Sequence, residues 1–184
     1  MQAGDTNWNK LLDQIEAQGW AWQIVLADPG DDEYEPFPRY CYTVGLVDKG
    51  LPDLIVVGLD VNIAMAAGDE LITRAMANAI VAQSVPTVAG FKPFDLNKDL
   101  LDVFKGTRAM LVDVPPAEAA KRSFFAHDYA AAKDKAPHLI QLVWPDRNGR
   151  LPFEEGADPR FVETQPVLKH IVPADPNTTD SPVM

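Results

Sequence analysis

A chain of 184 residues, 47% of them hydrophobic, is long enough for one domain with a proper core, which sets intrinsic disorder aside. Its net charge of −11 repels phosphate backbones and anionic lipid, and the nearest thing to a basic patch is the pair Lys121-Arg122, so neither a nucleic-acid nor a membrane partner is expected. One cysteine, Cys41, excludes an intramolecular disulfide.

The first residues, Met1-Gln-Ala-Gly-Asp, hold neither a basic region nor an apolar run, so no signal peptide is read there. No apolar stretch approaches the ~20 residues that span a bilayer. Together these features predict a cytoplasmic protein. Trp8, Leu11, Leu12 and Ile15 recur with the period of an amphipathic helix, which Asp5 or Thr6 can cap and Gly19 can end. Trp20 to Leu26 is rich in β-branched and aromatic residues and reads as a strand. A turn follows at Asp28-Pro29-Gly30, leading into the acidic loop of Asp31 and Asp32.

Arg39 to Leu46 is the next strand, with Tyr40, Tyr42 and Val44 on one face and Cys41, Thr43 and Gly45 on the other. Leu54 to Leu59 is nearly all apolar, as a strand buried on both faces would be. Asp60 then caps a helix whose stripe is Val61, Ala64, Met65, Gly68, Ile72, Ala75, Met76, Ala79 and Ile80. Its small residues would let the helix sit close to a sheet. Residues 84 to 106 resist reading: two apolar pieces, around Val88 and Val103, flank Lys92-Pro93-Phe94-Asp95. Arg108 to Val114 is a strand, Pro115-Pro116 opens a helix running to about Lys133, and His138 to Trp144 is a strand stopped by Pro145. A turn at Asp146-Arg147-Asn148-Gly149 follows. The expected organisation is one globular domain over residues 1–172, with a disordered, polar, proline-rich tail over 173–184.

Several strings in this order can be compared as a set. They are Gly19-Trp20-Ala21-Trp22, Tyr42-Thr43-Val44-Gly45-Leu46 and Pro52-Asp53-Leu54-Ile55-Val56-Val57-Gly58-Leu59, then Gln141-Leu142-Val143-Trp144-Pro145-Asp146, Gly149, Pro152-Phe153 and Gln165-Pro166. The set resembles the bacterial domain-of-unknown-function family numbered 4262 over roughly Gly19 to Leu168, with a weak middle third. The resemblance implies no activity and no catalytic residue. Where the family usually has glutamate this chain has Asp53, and where it usually has tryptophan this chain has Phe153; both changes are conservative.

No phosphate loop, dinucleotide fingerprint, C-x-x-C, H-E-x-x-H or G-x-S-x-G occurs, so no cofactor or metal is expected and no catalytic residue is assigned. Cys41 lies between two tyrosines with no neighbouring cation, and a buried structural cysteine is the better reading. His127, His138 and His170 lack the tight spacing of metal ligands. The carboxylate pairs Asp31-Asp32 and Glu154-Glu155 read as solvated loops. The group of interest is polar and aromatic: Arg39, Tyr40, Tyr42, Thr43, His127, Tyr129, Gln141, Trp144 and Asp146. If the strands around Tyr42 and Gln141 converge with the intervening helix, these residues line one pocket, with Arg39 as the anchor for an anion. The alternative, which the residue types favour, is that the tyrosines and Trp144 are core residues with locally bonded tips.

The pattern predicts an α+β fold: a largely antiparallel or mixed sheet of about five to six strands with three helices, mainly on one face. A doubly wound α/β fold is the alternative. The expected function is that of a soluble bacterial or phage-type protein that binds a small polar ligand or a protein partner without catalysis. An acidic inhibitor or immunity-type protein occupying a basic partner, and a hydrolase of unrecognised type, are the competing classes.

Overall fold

The computed structural model describes residues 6–28, 30, 36–84, 100–103 and 107–169. Asp5, the Asp31-Asp32 loop, the pieces around Val88 and Lys92-Pro93-Phe94-Asp95, His170 and the expected tail at 173–184 lie outside these residues, as do the side chains of Ala79 and Ile80.

A helix α1 (Thr6–Gln18) leads into β1 (Ala21–Val25) and β2 (Tyr40–Val44). A short 3-10 turn over Leu46–Lys49 precedes β3 (Asp53–Val57) and the long helix α2 (Val61–Ser84). The hairpin β4 (Leu100–Val103) and β5 (Thr107–Asp113) follows, then α3 (Pro116–Arg122), α4 (Phe124–Ala132), β6 (Leu139–Val143) and α5 (Pro159–Thr164). The six strands form one sheet in the order β1-β2-β3-β6-β5-β4. Only β3 and β6 run parallel, with Ile55 opposite Gln141; the other four pairings are antiparallel. This is the mixed-sheet α+β fold that the strand and helix pattern predicts.

Alternation along the central strands sorts the core. On one face Tyr40, Tyr42, Val44, Ile55, Val57 and Leu139 pack with Leu11 and Ile15 of α1, Ala119 of α3 and Ala126 and Tyr129 of α4. On the other, Cys41, Leu54, Val56, Ile140 and Leu142 pack with Ala64, Ala67 and Leu71 of α2. Three helices therefore share one face, while the longest covers the other. Leu12 of the predicted α1 stripe points outward and is 36% exposed, because the buried arc is narrower than its period allows.

The signals at element ends act as read. Gly19 N–H bonds to Ile15 O at 2.8 Å, ending α1. Asp60 Oδ1 accepts from Asn62 N at 3.0 Å and Ile63 N at 3.4 Å, capping α2. The helix expected from Pro116 to Lys133 is instead two, α3 and α4, which gives five helices among the described residues. Ser123, fully buried, donates its hydroxyl to Ala119 O at 2.8 Å at the break. Two tyrosine hydroxyls of β2 take the backbone groups freed there: Tyr40 donates to Arg122 O at 3.1 Å, and Phe125 N donates to Tyr42 at 3.4 Å.

The small residues of α2 explain how it meets the sheet. A Cβ on Gly68 would lie 2.5 Å from the Trp22 ring, so the indole lies directly against the helix. Asp69, one residue on, accepts from Trp22 Nε1 at 2.9 Å and from Trp20 Nε1 at 3.2 Å, tying β1 to α2. Asp69→Ala removes the acceptor of both indoles and is expected to destabilise the fold by about 1–2 kcal/mol, since bonds to charged groups exceed neutral ones. The measurement is a urea melt followed by tryptophan fluorescence; an unchanged midpoint would show that the pair holds nothing.

Candidate functional site

Past β6 the chain turns at Asp146 and comes back over the sheet as α5 and the segment ending at Lys169. Two buried glutamines hold this return. Gln141, in the middle of β6, donates Nε2–H to Pro166 O at 2.9 Å and accepts from Leu168 N at 2.8 Å. Gln165 accepts from Trp144 N at 2.9 Å and donates to Trp144 O at 2.9 Å. Each side-chain amide thus serves as a length of strand backbone, and both residues are 0% exposed. The buried polarity of Gln141 is met entirely inside the protein.

The return places α5 across the ends of β3 and β6. Phe161 meets Trp144 edge-to-face, with centroids 4.8 Å apart. Trp144 Nε1 donates to Val57 O at 3.2 Å. Between the turn and α5 lies a cleft of about 490 Å³ lined by Trp144, Pro145, Asp146, Arg147, Asp158, Arg160 and Phe161. Its two walls are joined by Asp146, whose Oδ2 accepts from Asp158 N at 3.0 Å while Oδ1 takes Asn148 N and Arg150 N at 2.8 and 2.9 Å. The Arg150 N–H foremost, then those of Asp158 and Asn148, hold the Asp146 carboxyl below its usual range. Asp158 caps α5, accepting from Arg160 N at 3.0 Å. Both carboxylates are thereby turned toward backbone, and neither pairs with a guanidinium of the cleft. Arg147 and Arg160 are exposed and have no side-chain partner among the described residues.

The structure divides the nine residues singled out from sequence. Trp144 and Asp146 line this cleft. Arg39 is exposed at the same end of the sheet, where its carbonyl accepts from Gly58 N at 2.9 Å. Tyr42, Thr43 and Gln141 are 2%, 0% and 0% exposed and do not line this cleft, and β3 lies between β2 and β6 in the sheet. Tyr40 and Tyr42 are occupied at the α3–α4 break, where burial pushes both hydroxyls above their ordinary range. His127 stands 3.2 Å from Ser123 Oγ within that region. Tyr129 donates to Asp48 Oδ2 at 2.6 Å; burial first and Asp48 second push its hydroxyl up to about 12. Sequence reasoning missed Arg147, Asp158, Arg160 and Phe161.

Two further groups stand out. Burial pushes the Cys41 thiol up to about 12, so the folded protein is expected to resist iodoacetamide at pH 8 and to react fully in urea. Modification at equal rates in both states would contradict this burial. Asp53 is 4% exposed and accepts from Thr43 Oγ1 at 2.9 Å and Leu46 N at 3.3 Å. Its burial outweighs these donors and lifts the carboxyl to about 7.

Among the described residues no group of three or more His, Cys, Asp or Glu side chains could hold a metal ion. None of the helices described is long and apolar enough to cross a membrane. The family model described as "Domain of unknown function (DUF4262)" matches residues 14–158. No curated protein and no solved structure matches the chain.

Proposed function

We infer the function of this chain, which belongs to the family described as Domain of unknown function (DUF4262), from its own geometry, because that description names no activity. The reading is a non-catalytic binding protein whose small polar ligand occupies the cleft between the Asp146 turn and α5. One observation carries it: two guanidiniums without side-chain partners among the described residues, Arg147 and Arg160, border a cleft of about 490 Å³ that also exposes an aromatic pair. That volume falls within the ~300–1,000 Å³ of small-molecule sites, and a few fixed polar groups beside aromatic surface is how such sites are lined.

The buried alternatives are occupied. Asp53 and Cys41 are sealed within the sheet, and Tyr40, Tyr42 and Gln141 spend their polar atoms on backbone. The test is a thermal-shift screen of anionic, cationic and neutral polar compounds on the parent and on the Arg147→Ala/Phe161→Ala variant. A ligand at 100 times its Kd stabilises by about 2.7 kcal/mol, a shift of roughly 5–10 °C. Hits whose shift survives in the variant would place binding elsewhere.

A further inference from the structure

We propose that the ligand of this cleft is a flat ring carrying an oxyanion, a phosphate monoester or a carboxylate, with the ring against Trp144 and Phe161 and the oxyanion between Arg147 and Arg160. The inference rests on the reading of the cleft as the binding site and adds the chemical class.

The argument begins with the surplus of acid. The chain has 27 Asp and Glu against 16 Lys and Arg, so carboxylates are plentiful as partners. Several other cations find neighbours: Arg74 pairs with Glu70, Arg150 bonds to Gly156 O, Arg122 lies 3.4 Å over the Phe37 ring, and Lys135 reaches Asp48 at 3.2 Å. Among the described residues the Arg147 and Arg160 side chains have none, although Asp146 and Asp158 line the same cleft. Those two carboxylates accept from Asn148, Arg150, Asp158 and Arg160 backbone N–H groups, which fixes where they point. The oxyanion that two guanidinium forks would bind is therefore one the protein does not itself provide.

The apolar side of the cleft selects the rest of the ligand. Trp144 and Phe161 are each half-buried, and their edge-to-face packing fixes the orientation of both rings. A planar group can stack there, as bases stack on aromatic side chains in proteins that bind single-stranded nucleic acid. An oxyanion without a ring leaves this surface wet, and a ring without an oxyanion leaves both guanidiniums unmatched.

The test is calorimetric titration of the full chain with matched probes: adenosine 5′-monophosphate against adenosine and inorganic phosphate, and 2-naphthoate against 2-naphthamide. The expected result is that at least one ring anion binds at least tenfold more tightly than its uncharged analogue and than phosphate. Preference for the nucleotide identifies a phosphate ester, preference for naphthoate a carboxylate. Arg147→Ala and Arg160→Ala, both at exposed positions, should each weaken that binding about tenfold without changing the melting temperature, and Arg160→Lys should recover part of the loss. Uncharged analogues binding as tightly as the anions, phosphate binding as tightly as the nucleotide, or no binding by any ring anion would each overturn the inference. The cleft itself is judged separately, by the hits of the wider screen, cations and neutral compounds included.

Discussion

Gly58→Ala is expected to cost roughly 2–6 kcal/mol, because two penalties of about 1–3 kcal/mol each coincide there. Gly58 has φ +75°, in the left-handed region, and an added Cβ would stand 1.8 Å from Thr164 O at the end of α5. The obstacle is backbone, so no side chain can swing away. Either β3 distorts beyond Val57 or α5 lifts off, taking Arg160 and Phe161 out of the cleft. Gly149 is the control: its φ is +79°, yet nothing lies within 4 Å of an added Cβ. Gly149→Ala should show the conformational penalty alone, about 1 kcal/mol. Paired urea melts measure both. Equal losses in the two variants would mean that α5 does not rest on Gly58.

The second large effect follows pH. Asp53 titrates near 7 in the folded protein and near 3.8 when unfolded, so between these values the native state holds the extra proton. Stability contributed by the neutral carboxyl is full below about 4 and is lost as pH rises through about 7; the total is about 4 kcal/mol. The groups around it are Thr43 and the backbone of Gly45 and Leu46, with Asp48 as the nearest like charge. Asp48 itself titrates low, through the Tyr129 hydroxyl first and Lys135 and Lys133 beyond, so it contributes with the opposite sign and only in acid. Asp53→Asn isolates the effect. The stability of the parent relative to the variant should fall as pH goes from 5 to 8, by chemical denaturation at each pH. A difference constant across that range would mean that Asp53 is ionised throughout.

How far the sequence carried is clearest residue by residue. The β2 alternation, the Asp60 cap and the Gly19 helix end are local chemistry, and each acts in the structure as its neighbours suggest. The break at Ser123 was hidden because the groups that stabilise it, the hydroxyls of Tyr40 and Tyr42, come from 82 and 83 residues away. Strand β4 was unread because four residues are too few to display a period, and its order comes from pairing with β5. Half of the cleft was legible. Trp144 and Asp146 were marked by a strand end and a turn, but Arg160 and Phe161 meet them only because Gln141 and Gln165 hold the returning chain. The available signal was Gln141, a lone polar residue in the apolar strand Leu139–Val143. Gln141 belongs to the polar-aromatic group read from sequence, and its partner is the chain itself.

The central claim is that the small-molecule site is the cleft between Trp144 and α5. The most direct measurement is a ¹H–¹⁵N correlation spectrum of the labelled protein with and without the tightest-binding hit of the screen. The account predicts that the largest shifts fall on the Trp144 indole N–H and on the amides of residues 146–147 and 160–161, with Asp53, Thr43 and Tyr42 nearly still. Shifts centred on another face of the sheet, with the Trp144 indole unmoved at saturation, would contradict it.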